Sequence, residues 1–197
     1  MNFSSSLTDH QLPMVIDTSV LINLHSCTYG RQILTTIPNK IIVPKLVAGE
    51  FERGIDDKAF LTNLVSERIA EIDDTNEDED IIFGRLIMTL DDGESATIAI
   101  AINRGFLPII DERKGRAQLK LMKPDLEPGW SIDLIRHPVV ASQLGPTTVV
   151  EALYLALRVS HMRIPEEGAE EVIALIGEKR ARECTCIPNY KKRFPRM

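Results

Sequence analysis

The stretch MVIDTSVLINL spans residues 14–24 and holds the most informative pattern of the chain. Its first apolar run, Met14 to Ile16, ends in an acid, Asp17, and a second apolar run follows Thr18 and Ser19. A short apolar run is typical of a buried strand, and a hydroxyl residue before an apolar periodic segment is typical of a helix start. The pattern therefore predicts a strand, an acid at its carboxyl end, and a helix capped by Thr18 or Ser19.

Two further segments continue the alternation of strand and helix. Residues 40–43 (KIIV) form a second β-branched run, and Pro44 then begins a helical stretch, where the first turn of a helix tolerates proline. Residues 107–110 (LPII) form a third run, which ends in Asp111. Strands that alternate with helices predict an α/β fold, here a three-layer α/β/α sandwich with a mainly parallel central sheet.

Helical periodicity also extends over residues 56–71 and 81–90, and the acidic run at 73–80 between them is predicted to be a solvated loop or helix entry. Residues 91–105 (DDGESATIAIAINRG) predict a helix that is capped by one of the two opening aspartates. Its central section is apolar almost all round, so we expect this helix to lie in the interior.

The chain of 197 residues is long enough to build one domain with its own core. Residues 147–160 and 167–183 predict a pair of helices beyond the α/β part. The predicted division is an N-terminal extension at 1–13, the main domain at 14–135, a helical part packed on the same domain at 136–183, and a basic tail at 184–197.

The charge of the chain is uneven. A formal net charge of −6 argues against a nucleic-acid partner, but residues 178–197 hold seven Lys and Arg against two Glu, a net charge of +5. That composition suits a segment that holds a phosphate backbone and equally suits a solvated terminus. No apolar run approaches the roughly 18 residues of a membrane span, and the N-terminal segment lacks the pattern of a secretory signal. With three cysteines that have no framework spacing, we expect a cytoplasmic protein.

Asp17 and Asp111 each follow a predicted parallel strand, and the carboxyl ends of such strands meet at one edge of the sheet. Two carboxylates about 4 Å apart repel by roughly 4 kcal/mol at an effective dielectric constant near 20. A divalent cation removes this penalty, and ligands that are all oxygen select Mg²⁺ or Mn²⁺. Such a cation also polarises a phosphodiester and activates water. The pattern therefore suits metal-assisted phosphodiester hydrolysis.

Four segments in this order resemble the PIN-domain nucleases, especially the small prokaryotic branch that includes toxin ribonucleases of the VapC kind. They are VIDTSVLINL, IIVPKLVAGEFERG, LDDGESATIAIAINRG and IIDERKGR, and all lie between residues 14 and 120. The resemblance implies a PIN-like nuclease domain and an Mg²⁺- or Mn²⁺-dependent endoribonuclease that acts on single-stranded RNA. Within that branch it further implies a toxin, with a cognate antitoxin or another inhibitory protein as partner. We also expect a homodimer, and the helical pair at 147–160 and 167–183 could form a dimer face, dock a partner or complete the core.

The resemblance also implies which residues form the site. The catalytic, metal-binding acids would be Asp17, Glu50, Glu94 and Asp111, with the two aspartates as direct ligands and the two glutamates binding directly or through water. The predicted substrate-binding residues are Thr18, Ser19, Arg113 and Arg116, since arginines just beyond Asp111 suit a phosphate or the scissile strand.

Each acid has a structural alternative. Asp17 and Asp111 could cap the helices that follow them, and Glu94 lies in a first helical turn, where any acid gains about 0.3–1 kcal/mol from the helix dipole. Glu50 could be an exposed residue paired with Arg53 at i+3.

Two alternative functions also remain. The first is a PIN-like module that binds nucleic acid or a partner protein without cutting. The second is a phosphatase of the haloacid-dehalogenase type, which is disfavoured because that family needs an acid where this chain has Ser19.

Overall fold

A computed structural model describes residue 5, residues 7–55 and residues 58–195. The chain divides into two compact units. The first comprises residues 9–22 and 38–130, and the second comprises 23–37, 131–197 and the first eight residues. In the described part of the chain, no helix is long and apolar enough to cross a membrane.

The first unit is built on a parallel sheet with the strand order β3-β2-β1-β4. The strands are β1 (Met14–Ile16), β2 (Ile41–Pro44), β3 (Ala70–Asp73) and β4 (Leu107–Ile109). In the register of the sheet, Met14 lies opposite both Ile41 and Leu107. Every residue of β1, β2 and β4 is buried, as expected for parallel strands covered by helices. The predicted α/β fold with a parallel sheet is confirmed.

The helices follow the predicted alternation through most of the first unit. In chain order the described α-helices of both units are α1 (Thr18–Ser26), α2 (Gly30–Thr36), α3 (Lys45–Gly54), α4 (Ala59–Ser66), α5 (Glu77–Leu86), α6 (Asp92–Arg104), α7 (Arg113–Met122), α8 (Ser131–Ile135), α9 (Pro138–Leu144), α10 (Pro146–Val159), α11 (Ala169–Ile176), α12 (Glu178–Ala181) and α13 (Tyr190–Arg193).

Helix α6 is the central helix of the first unit. Its residues 93–101 are all buried, and it contacts three strands (β1, β2 and β4) and three helices (α3, α5 and α7). Ile100 and Ala101 pack with Val15 and Ile42 of the sheet, while Ile98 packs in a second cluster with apolar residues of α5 and α7. The prediction of an interior helix is confirmed, and this helix carries Glu94 in its first turn to the carboxyl end of the sheet.

The prediction of one helix over residues 56–71 is wrong. Helix α4 ends at Ser66, the backbone turns through Arg68 with a positive φ of 59°, and β3 begins at Ala70. Residues 56–57 lie outside the described residues. Strand β3 is an edge strand with two exposed residues, so it lacks the continuous apolar run that marked β1 and β2.

The acidic run at 73–80 is not wholly solvated, because Glu79 is completely buried. Asn76 caps α5, and the Glu79 side chain closes the capping box by accepting from the backbone N–H of Asn76. Glu79 also accepts from Arg104 Nε at 2.6 Å. Burial alone would raise the pKa of Glu79, but the bonds from Arg104 and Asn76 hold it below its ordinary value. The pair joins the start of α5 to the end of α6.

Strand β4 forms one edge of the sheet. The Asp17 N–H donates to the Ile109 carbonyl at 3.3 Å, so Ile109 faces β1. Pro108 faces the opposite side, and its carbonyl accepts from the Gly129 N–H at 2.9 Å. On that side a single parallel bridge joins Ile109 to Gly129.

The second unit consists of helices and connecting loops, in which α10 contacts α8, α9 and α11. The first member of the predicted helical pair is confirmed as α10. The second is interrupted at Gly177, whose φ of 85° favours glycine and separates α11 from α12. The packing of residues 136–183 on the main domain stays a prediction, and Arg196 of the predicted basic tail lies outside the described residues.

Candidate active site

Asp17 lies directly after β1 and is only 2% exposed. Its Oδ2 accepts from Ser19 Oγ at 2.8 Å and from the Ser19 backbone N–H at 3.3 Å. Its Oδ1 is buried and has no hydrogen-bond partner. Burial raises the pKa of Asp17 to about 6, although the bond from Ser19 opposes the rise. A buried carboxylate oxygen without a donor is costly unless a proton or a cation reaches it.

Glu94, like Asp17, is a buried acid with a raised pKa. It is 4% exposed, and its Oε1 is buried without a hydrogen-bond partner. Burial raises the pKa of Glu94 to about 7, and the charges of Asp17 and Asp91 add to the rise, while the nearby backbone N–H of Gly115 opposes it. The effect of the Asp17 charge on Glu94 identifies the two as neighbours, which are brought together from the end of β1 and from α6 although 77 residues separate them in the sequence.

Glu50 in α3 is half-buried, and both of its carboxylate oxygens are engaged. Thr18 Oγ1 donates to Oε2 at 2.5 Å, and the Gly93 backbone N–H donates to Oε1 at 2.9 Å. Glu50 is therefore not the exposed helix residue of the structural alternative. A Cβ added at Gly93 would lie 2.8 Å from Thr18 Oγ1 and 3.0 Å from Glu50 Cδ, so only glycine permits this approach. Glu50 thus ties together the first turn of α1, α3 and the start of α6.

Asp111 follows Ile110 in the connection from β4 to α7 and is 1% exposed. Strands β1 and β4 are parallel neighbours, with Ile16 opposite Ile109. Asp17 and Asp111 therefore both follow the carboxyl ends of paired strands, at the edge of the sheet where α/β folds place their ligands.

Comparison with protein families agrees with this arrangement, since a family model described as a PIN domain matches residues 13–178. The chain belongs to the PIN-domain family. No curated protein and no solved structure matches it. PIN domains are generally nucleases and typically use divalent metal ions. The predicted family is confirmed, while the VapC-like branch stays a prediction.

Two carboxylates of this PIN domain, those of Asp17 and Glu94, fit a divalent cation. Among the described residues, no three acidic, histidine or cysteine side chains stand close enough together to hold an ion. Mg²⁺ is commonly held by one or two carboxylates, with water and substrate phosphate completing its shell. The unpartnered oxygens of Asp17 and Glu94 fit that requirement. Glu50 and Asp111 stay predicted ligands, and the oxygens of Glu50 are already used in hydrogen bonds.

The two arginines predicted to bind substrate differ in their surroundings. Arg113 is exposed at the start of α7. Arg116 is half-buried, donates to three backbone carbonyls and lies over the Trp130 ring at 3.7 Å. Its guanidinium is thus engaged within the protein. The hydroxyls of Thr18 and Ser19 likewise donate to the carboxylates beside them.

Two residues near the site were not in the predicted set. Asp91 caps α6, with Oδ1 accepting from the Glu94 N–H at 2.9 Å, and its charge also raises the pKa of Asp17 and of Glu94. Lys114 is exposed, and its charge lowers the pKa of Glu94. The next residue, Gly115, lies against Glu94, since an added Cβ there would lie 2.6 Å from Glu94 Oε1.

Proposed function

We propose that this PIN domain is an endonuclease that hydrolyses phosphodiester bonds in single-stranded RNA with Mg²⁺ or Mn²⁺. The observation that carries the proposal is the pair of buried, unpartnered carboxylate oxygens on Asp17 and Glu94. A divalent cation bound there would supply a Lewis acid for the phosphodiester and activate water for attack. By the resemblance to the family, the products would carry 3′-hydroxyl and 5′-phosphate ends.

The chain's own residues prepare the two carboxylates in different ways. Ser19 holds Oδ2 of Asp17, which leaves Oδ1 as the available oxygen. Asp91 fixes the first turn of α6 and with it the backbone of Glu94. Thr18 and the Gly93 N–H hold the Glu50 carboxylate. In this proposal Asp17 and Glu94 bind the cation, and Glu50 and Asp111 complete the acidic set.

The start of α7 is the proposed contact with the RNA backbone. Arg113 and Lys114 are exposed there, and Lys114 acts electrostatically on Glu94. The N-terminus of a helix favours phosphate because its first N–H groups are unpaired and its dipole is positive. A phosphate held by these two side chains would lie beside the acids. Thr18 and Ser19 then support the acids, and the proposal gives them no direct contact with RNA.

The test is cleavage of labelled RNA by the purified protein with Mn²⁺ or Mg²⁺, with and without EDTA. We expect cutting of unstructured RNA, no cutting in EDTA, and loss of cutting in Asp17→Asn and Glu94→Gln. Asp92→Asn is the matched control, because Asp92 is an exposed acid in the same helical turn. Cleavage that persists in EDTA or in Asp17→Asn would contradict the proposal. Duplex RNA and single-stranded DNA, run in parallel, define the substrate class.

We further propose, on the resemblance alone, that the protein is a toxin with a cognate antitoxin, and we propose separately that it forms a homodimer. Light scattering on the purified chain gives the mass in solution. Expression with and without the product of the adjacent reading frame tests inhibition. Growth arrest that this product does not relieve would contradict the antitoxin proposal.

A second candidate function is a PIN-like module that binds without cutting, and it is favoured by the finding that no three ligating side chains gather among the described residues. The two candidates differ in their response to metal. A cation at 100 times its dissociation constant adds about 2.7 kcal/mol to the free energy of unfolding. An unchanged melting temperature with millimolar Mn²⁺ and Mg²⁺ would favour the binding module.

A further inference from the structure

Arg116 is the most fully engaged basic side chain near the site. Its Nη1 donates to the carbonyls of Ile110 and Gly129, both at 2.9 Å, and its Nη2 donates to the carbonyl of Pro128 at 3.0 Å. The guanidinium also lies 3.7 Å from the centroid of the Trp130 ring. The guanidinium group is planar and carries several N–H donors in fixed directions, so it suits such a cluster of carbonyls.

These contacts act on the segment that carries Asp111. The Ile110 carbonyl belongs to the peptide group that joins Ile110 to Asp111, and a peptide group is planar. Arg116 donates to the oxygen of this peptide. On the other side of Ile110, the backbone N–H of Ile110 donates to the Gly129 carbonyl at 3.0 Å. With both ends of Ile110 fixed, the direction in which the chain enters Asp111 is fixed as well.

We propose that Arg116 is a positioning residue for Asp111 and not a phosphate ligand. The proposal rests on the proposed function, in which Asp111 belongs to the set of acids around the bound cation. Asp111 is 1% exposed, so its carboxylate has little freedom to compensate for a displaced backbone. Residues that orient metal ligands typically change metal affinity by about 10–100-fold when they are replaced.

The test is isothermal titration of Mn²⁺ into wild type, Arg116→Lys, Asp111→Asn and the double variant. Lysine keeps the charge but has no planar fork, so we expect Mn²⁺ affinity to fall by about tenfold or more in Arg116→Lys. In the Asp111→Asn background, Arg116→Lys should have no further effect, because the side chain that it positions has lost its charge. Arg104→Lys is the matched control, since Arg104 is also held by several acceptors but binds Glu79 at the other end of α6.

The outcomes separate the two proposals. Wild-type Mn²⁺ affinity in Arg116→Lys, or an equal loss of affinity with and without Asp111, overturns the positioning role. Weaker RNA binding with unchanged Mn²⁺ affinity would instead identify a phosphate ligand. Failure of wild type itself to bind Mn²⁺ overturns the proposed function, and with it this inference. Trp130→Leu keeps the three hydrogen bonds but removes the ring under the guanidinium, so it should lower Mn²⁺ affinity in the same direction if Arg116→Lys does not fold.

Discussion

Removing the charge of Asp17 should stabilise the metal-free protein while it abolishes metal-dependent activity. The pKa of Asp17 lies at about 6, against an ordinary value of 3.8. One pKa unit corresponds to about 1.4 kcal/mol, so ionised Asp17 costs the fold about 3 kcal/mol at pH 8. Asn keeps an oxygen for the Ser19 hydroxyl and carries no charge. We therefore expect Asp17→Asn to raise the free energy of unfolding by about 1–3 kcal/mol, the lower value allowing for a buried amide without partners.

The pH dependence follows from the sign of the shift. Because the folded-state pKa is raised, the native protein holds this proton more tightly than the unfolded chain does. The resulting stability is fully present below about pH 4 and is lost as the pH rises through about 6. Glu94, whose pKa is raised to about 7, extends the loss toward neutral pH. The advantage of Asp17→Asn should therefore be largest at pH 8 and fall to about half of that value at pH 5.

The assay is urea denaturation in EDTA at pH 5 and pH 8, followed by the fluorescence of the single tryptophan. Adding Mn²⁺ at pH 8 should reverse the order, because at 1,000 times the dissociation constant wild type gains about 4.1 kcal/mol, more than the advantage of the variant, whereas the variant gains little. Asp92→Asn, at an exposed acid two residues before Glu94, should instead lower the free energy of unfolding slightly, by at most about 0.3–1 kcal/mol through the lost interaction with the helix dipole. An Asp17→Asn variant that is less stable than wild type at pH 8 in EDTA would refute the reasoning from burial.

Three further substitutions probe other contacts. Gly93→Ala places a methyl group against Glu50, so it should lower the free energy of unfolding by about 1–3 kcal/mol in urea denaturation and weaken Mn²⁺ binding in calorimetry. Glu79→Gln leaves Arg104 without its buried carboxylate partner and should cost about 1–3 kcal/mol by the same denaturation assay, with Mn²⁺ affinity unchanged. Lys114→Ala should reduce the slope of log affinity for single-stranded RNA against log salt by about 0.7, measured by fluorescence anisotropy.

Each of these expectations has a clear contrary result. A Gly93→Ala protein with wild-type stability and Mn²⁺ affinity would show that Glu50 can move without consequence. Weaker Mn²⁺ binding in Glu79→Gln would show that the buried pair reaches the site. An unchanged salt slope in Lys114→Ala would remove that lysine from the RNA contact, and Lys123, exposed beyond the end of α7, is the control for a general loss of positive charge.

Much of the fold could be predicted because its central elements carry strong local patterns. Strands β1 and β4 lie in short apolar runs that are each followed by an acid, and β1 ends directly before Asp17, so the position of Asp17 could be inferred from the sequence alone. Strand β3 lies at an edge with Glu71 and Ile72 exposed, and no local pattern separated it from the helix before it. The burial of Glu79 within the acidic run could not be predicted from local pattern either, because Glu79 is paired with Arg104, which is 25 residues away.

The candidate site was predictable in its residues more than in their roles. The order of motifs selected Glu50 and Glu94, but only the structure shows that Glu50 is held by Thr18 while Glu94 keeps an unpartnered oxygen. Arg116 looked like a phosphate ligand because it is a basic residue near a strand-end acid. Its engagement with the carbonyls of a distant loop depends on tertiary packing that no sequence pattern reports.

Pro108 has a consequence for how the sheet meets other chains. The residue faces away from β1, so its missing N–H costs the sheet no internal hydrogen bond, and its carbonyl is already taken by Gly129. A foreign strand that approached this edge would find no donor and no free acceptor at the middle of β4. Proline on an edge strand is one way in which proteins prevent sheets from joining edge to edge. Pro108 and its contact with Gly129 therefore leave the middle of β4 with no backbone group that a strand of another chain could pair with.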